Sequence, residues 1–164
     1  MDGILAPGVT IGKLTTGALT MDNGSYFAYA MDSGVLGNNK GSLLVTGALT
    51  LNGHVNLTLS ASAFTPNTTT LSLLQYTGTL LGGGGFFFGG NQVLDGTPFS
   101  DGKGNTWQIS YAASTGGLNF ATDIPGSKYI TLSNLTAVPE PGSLLALGCL
   151  IGSGVLLRRR RGIR

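Results

Sequence analysis

The sequence predicts an all-β chain, a short stacked solenoid plus β-hairpins, followed by a single C-terminal transmembrane α-helix. Three observations predict it. Leu51, Val55, Leu57 and Leu59 alternate with Asn52, His54, Asn56 and Thr58, which is the period-two pattern of a half-buried strand. The run Thr16–Met21 (TGALTM) returns 30 residues later as Thr46–Leu51 (TGALTL), and a fixed period of this size points to stacked coils. Ser143–Leu157 holds fifteen residues without a charge, directly before a block of four arginines.

Residues 1–80 form the first segment. Its apolar runs are short and are separated by Asp22-Asn23-Gly24, Asp32-Ser33-Gly34, Asn38-Asn39 and Asn52-Gly53, residue pairs that favour tight corners. Abundant Thr suits strands, and each stacked coil adds about 4.8 Å. Two copies of the repeat fall short of the three or so that a solenoid needs to bury a continuous core. Met1-Asp2-Gly3-Ile4-Leu5-Ala6-Pro7 also has neither a basic nor an apolar leader region. Both deficits lead to the expectation that the chain is the C-terminal end of a longer reading frame, or that its start is miscalled, which translation of the DNA upstream of Met1 tests.

Residues 81–136 form a closing β-rich segment. Gly82–Gly85 reads as a flexible connector, and Phe86-Phe87-Phe88 cannot all face inward from one strand. At least one of these rings is expected over the open end of the solenoid or at a partner contact. Asp95-Gly96 and Asp101-Gly102 mark further turns. Asp101-Gly102-Lys103-Gly104-Asn105 has the look of a calcium loop, but Lys103 stands where a carboxylate is wanted and no Glu closes the site. A plain hairpin turn is expected there.

Residues 137–164 form the third segment. Pro139-Glu140-Pro141 interrupts any regular element. As a helix, residues 143–157 would span about 23 Å at about 1.5 Å per residue, a little short of the ~30 Å hydrocarbon core. Arg158, Arg159, Arg160 and Arg161 stop the span, since each costs about 2.5–3.5 kcal/mol at the bilayer centre. The positive-inside rule places them in the cytoplasm and residues 1–138 on the far side.

Charge separates the segments. Residues 1–138 carry four Lys and six Asp and no Arg, whereas residues 139–164 carry five Arg and one Glu. A nucleic-acid binder needs basic side chains across a folded face, so no nucleic-acid partner is expected. One Cys excludes a disulfide scaffold. One His, one Cys and scattered Asp residues leave no expected metal site, cofactor or catalytic group. His54 is expected as a solvated residue on the polar face of its strand, and Cys149 as a small hydrophobe within the apolar span.

The tail closely resembles the PEP-CTERM sorting signal, on Val138-Pro139-Glu140-Pro141-Gly142-Ser143, the Leu/Gly-rich span and the Arg cluster. The resemblance implies recognition and processing near Pro139, Glu140 and Pro141 by an exosortase, a membrane-embedded cysteine transpeptidase-like enzyme of Gram-negative-type bacteria. Arg158 to Arg161 would serve as membrane stop. Leu5-Ala6-Pro7-Gly8, Ile11–Thr15, Leu19–Met21, Val93–Thr97 and Gly104–Tyr111 are similar to passenger-type repeats of autotransporter-like surface proteins and their closing segment. That resemblance implies a right-handed parallel β-helix.

The expected function is that of a non-catalytic envelope, surface or extracellular-matrix protein. It would be anchored in the inner membrane before processing, with exopolysaccharide or envelope matrix as a partner. The alternatives are a glycan-binding or glycan-cleaving β-helix whose active part lies upstream, and a permanent single-span membrane protein.

Overall fold

The structure is a computed structural model that describes residues 3–7, 13–30, 42–60, 70–117 and 124–135. A two-residue strand, β1 (Ile4–Leu5), precedes three coils of three strands each. The first coil holds β2 (Lys13–Thr16), β3 (Leu19–Met21) and β4 (Tyr26–Ala30). The second holds β5 (Ser42–Val45), β6 (Leu49–Leu51) and β7 (His54–Ser60), and the third β8 (Thr70–Tyr76), β9 (Leu80–Leu81) and β10 (Gly85–Phe88). Corresponding strands of successive coils pair in parallel. Thr15 meets Leu44, which meets Gln75; Leu19 meets Leu49, which meets Leu80; Phe27 meets Leu57.

The third coil contains a copy of the repeat that the sequence pattern hides. Thr77-Gly78-Thr79-Leu80 takes the places of Thr46-Gly47-Ala48-Leu49, with Leu80 in register with Leu49. The corner explains why glycine recurs. A Cβ on Gly78 would lie 2.6 Å from the Gly47 carbonyl, and one on Gly47 would lie 3.0 Å from the Ala18 amide. Hydrogen bonds from Thr46 N and Oγ1 to Thr16 O, both 2.9 Å, fasten the same corner between coils. At the next corner Asn52 Nδ2 donates to Asp22 Oδ1 at 3.0 Å, and His54 N donates to Asn23 Oδ1 at 3.0 Å.

Alternation decides which side chains fill the stack. In β7, Val55, Leu57 and Leu59 are buried while their neighbours are partly or wholly exposed. They meet Phe27, Leu43, Val45, Leu49, Leu51, Leu73 and Phe86 in one core, each worth roughly 1.5–3 kcal/mol when fully buried. Phe86 tilts against Phe27 with ring centroids 5.5 Å apart.

The stack ends in antiparallel strands. Gly89 and Gly90, with φ of 58° and 84°, turn the chain back, so that β11 (Asn91–Gln92) pairs antiparallel with β10. Positive φ at both central residues is the demand of a type I′ hairpin. Beyond it lie β12 (Pro98–Ser100), β13 (Thr106–Ala113) and β14 (Lys128–Leu135). β14 lies between β13 and β8, antiparallel to both. The result is three sheets, with strand orders β1-β4-β7-β10-β11, β3-β6-β9 and β12-β13-β14-β8-β5-β2.

The expected fold class is corrected on this evidence. The described residues are all-β and contain no helix, so none of them forms one long and apolar enough to cross a membrane. The physical reason lies in their patterning, which is period two or broken by glycine corners and never offers the roughly 20 apolar residues a spanning helix needs. Residues 143–157, on which the transmembrane helix was expected, lie outside the described residues. Beyond the stack, β14 completes the sheet of the third coil by pairing with β8.

The glycine run also differs from expectation. Gly82 and Gly84 press against the second coil, where a Cβ would collide with the carbonyl oxygens of Leu51 and Gly53 respectively. Gly84 N donates to Leu51 O at 3.3 Å. The run is a tight corner that admits only glycine at positions 82 and 84.

Candidate functional site

Two surfaces and the buried network around Asp101 hold much of the polar chemistry of the described residues. A second buried network joins Gln75 Nε2 to Ser127 Oγ at 2.8 Å and to the Tyr129 hydroxyl at 3.0 Å. The first surface is the outward face of the five-stranded sheet. Paired residues of a sheet share a face, so register alone places Ile4, Tyr26, Asn56, Phe87 and Gln92 in one row across the strands. Successive rungs lie about 4.8 Å apart. Tyr26 is 39% exposed. His54, one residue pair along, lays its ring on Phe87 with centroids 3.7 Å apart and planes 24° from parallel. His54 is therefore part-buried rather than freely solvated, and its Nε2 has no hydrogen-bond partner. The row carries no formal charge and offers aromatic rings, amides and hydroxyls.

The three phenylalanines divide as their strand requires. Phe86 faces the core, Phe87 joins the outward row, and Phe88 packs on Phe99 of the closing segment at 5.2 Å.

The second surface is a cleft of about 270 Å³ where the third coil meets the closing segment, lined among others by Leu80, Leu81, Gly82, Leu94, Asp95 and Tyr111. Tyr111 forms its inner wall. Its hydroxyl donates to Val93 O at 2.8 Å and accepts from Phe86 N at 2.9 Å, tying β10 to the chain beyond β11. Burial pushes this phenol up to about 12, the hydrogen bond from Phe86 opposing and the Asp95 charge reinforcing it. Asp95 Oδ1 accepts from Tyr111 N at 2.8 Å at the exposed rim.

The buried network surrounds Asp101, at the loop that resembles a calcium site. Its carboxylate accepts from Lys103 N at 2.8 Å, Asn105 N at 3.2 Å, Asn105 Nδ2 at 2.6 Å and Trp107 Nε1 at 3.0 Å. Burial works to raise the carboxyl, and these four donors more than offset it, leaving it below the ordinary value. The loop is the β12–β13 hairpin, with protein donors in the places a cation would need. Among the described residues no three of His, Cys, Asp and Glu cluster to hold a metal.

The sorting residues Pro139, Glu140 and Pro141 and the stop residues Arg158, Arg159, Arg160 and Arg161 all lie outside the described residues. The sequence pattern gives no role to Tyr26 or Tyr111, gives Phe87 only as one of three rings that cannot all face inward, and gives Asp101 only as a turn residue. For Asp101 a signal existed: Asn105 and Trp107, both side-chain donors, follow it four and six positions later across a glycine turn.

Comparison with family models, curated proteins and solved structures returns no match to this chain.

Proposed function

We propose that this chain is a non-catalytic protein of the cell envelope or extracellular matrix, sorted and cut by an exosortase at its C-terminal signal. The observation that carries the proposal is the order Pro139-Glu140-Pro141, uncharged apolar stretch, four arginines, all within residues 138–164. Asp95 and Asp101, the carboxylates nearest the cleft and the buried network, are both engaged by protein donors, which supports a role without acid–base catalysis.

The test is the mass of the mature C-terminus in cells with and without the exosortase. The expected result is loss of the arginine cluster only when the enzyme is present, abolished by Glu140→Ala. An intact Arg164 in the mature pool of enzyme-containing cells overturns the proposal.

The matrix partner proposed is an uncharged polysaccharide lying along the outward row of the five-stranded sheet. Rings at Tyr26 and Phe87 take the apolar faces of sugars, and Asn56 and Gln92 lie in the same row to meet hydroxyls. In gels containing a neutral β-glucan, the protein is expected to be retarded, and Tyr26→Ala to weaken binding about threefold to tenfold, the worth of one aromatic contact. Equal mobility of the parent protein with and without the glucan sinks this assignment.

A further inference from the structure

Among the described residues, the closing segment extends two of the three sheets and not the third. β11 extends the five-stranded sheet beyond β10, and β14 extends the six-stranded sheet beyond β8, but among the described residues nothing pairs beyond β9 in β3-β6-β9. The cleft of about 270 Å³ lies against this free edge.

The ladder shows which backbone groups face the gap. Leu49 N donates to Thr79 O at 3.0 Å, so Leu49 directs its amide toward β9. In a parallel pair the bonding residues alternate between strands, which turns the amide of its register partner Leu80 away from β6 and over the cleft. One coil earlier the same position is filled: Leu19 N donates to Ala48 O at 2.9 Å, and Asn52 N donates to Met21 O at 2.8 Å. Leu80 N–H stands where Leu19 N–H stands, and among the described residues no further strand pairs with it.

Side chains around the gap are apolar and unusually open. Leu81 is 48% and Leu94 55% exposed, and both line the cleft. Asp95 at its rim disfavours acidic side chains.

We propose that the cleft beside β9 is a strand-accepting slot. Its occupant is an extended segment of a partner protein, free of acidic residues and aliphatic at alternate positions, which adds as the fourth rung of the three-stranded sheet. Main-chain hydrogen bonds to an exposed edge supply affinity and alternate side-chain pockets supply selectivity. The flanking strands decide between a segment and a second copy. A second copy would bring a whole coil, and β11 and β14 already occupy the flanking positions. The slot is independent of the sorting signal, so either proposal stands or falls alone.

The experiment uses the full chain and a fluorescent peptide copying Val45–Asn52, the pattern that the fold itself sets beside this edge one coil earlier. Saturable binding is expected, at least tenfold weaker when the peptide is N-methylated at the residues copying Thr50 and Asn52, whose amides face the edge. N-methylation at those copying Leu49 and Leu51, whose amides face away, leaves affinity within about threefold. Leu94→Asp in the protein weakens binding at least tenfold. Three results overturn the slot: no binding to folded protein, equal binding of both N-methylated peptides, or protein self-association that Leu94→Asp abolishes and that excludes the peptide. The peptide comparison leaves the protein unchanged, so misfolding of Leu94→Asp does not blunt the test.

Discussion

Gly82→Ala is expected to destabilise the protein by about 3 kcal/mol or more, enough to remove a large share of the 5–15 kcal/mol typical of a domain. Two costs act together. Gly82 has φ of 99°, a conformation that strains any L side chain by about 1–3 kcal/mol. The added methyl also drives into Leu51 O of the coil above, and backbone cannot rotate out of the way as a side chain can. Forced overpacking costs a further 1–3 kcal/mol or so. Gly83→Ala, one residue on, is the control, because nothing lies within 4 Å of its Cβ and its φ carries no such strain. Urea titration followed by tryptophan fluorescence measures both, since Trp107 is fully buried. Equal midpoints for the two variants would show that the corner yields and that the glycine run is the flexible connector the sequence suggested.

Asp101→Ala is expected to cost about 3–4 kcal/mol. Four donors lose their common acceptor, two of them the side chains of Asn105 and Trp107, both buried. Each hydrogen bond to a charged group contributes about 1.5–3 kcal/mol, and the shared acceptor makes the losses less than additive. Asp101→Asn keeps one acceptor oxygen and is expected to cost less, about 1–2 kcal/mol on the same scale. The pH dependence separates charge from shape. Folding lowers this carboxyl, so its contribution is fully present above the ordinary carboxyl value of 3.8 and is lost as pH falls through the lower folded value. Stability of the parent should therefore decline on acidification below that value more steeply than stability of Asp101→Asn. Superimposable acid profiles would mean that the charge contributes nothing.

How much of this was legible in the sequence depended on how many faces each strand buries. β7 has one face in the core and one outward, and its Val55, Leu57 and Leu59 declare the period directly. β8 is buried from Leu71 to Tyr76 because Ser72 and Gln75, on its outer side, are covered by Gly117, Ser127 and Tyr129. Leu71 and Leu73 still alternate with Ser72, as the strand pattern suggests, but the period breaks at Leu73-Leu74, beside the register shift against β14, and the cover over the polar Ser72 and Gln75 leaves no mark in the pattern. The third repeat was hidden for a different reason. Gly82 stands where Leu51 stood and Thr79 where Ala48 stood, and the spacing lengthens from 30 residues (Leu19 to Leu49) to 31 (Leu49 to Leu80). Glycine is ambiguous by nature, since freedom and forced proximity select the same residue; Gly82 and Gly84 were read as the first and are the second. His54 shows the limit of a face assignment: its outward position was correct in kind, but the ring stacked on it comes from Phe87, 33 positions later in the chain.

The antiparallel seating of β14 against β8 bears on how the chain reaches its native state. Thr70 Oγ1 and Ser133 Oγ meet at 3.0 Å across a separation of 63 residues, twice the span that links one coil to the next. Contacts so far apart close late and slow folding. Until Lys128–Leu135 has been synthesised, β8 presents one unpaired edge, and such an edge is a template for pairing with other chains. A polypeptide delivered in extended form, from its N-terminus, would thus hold its third coil unfinished until almost the last described residue arrives. The arrival of β14, and not the accumulation of coils, is the event that closes the six-stranded sheet against β8.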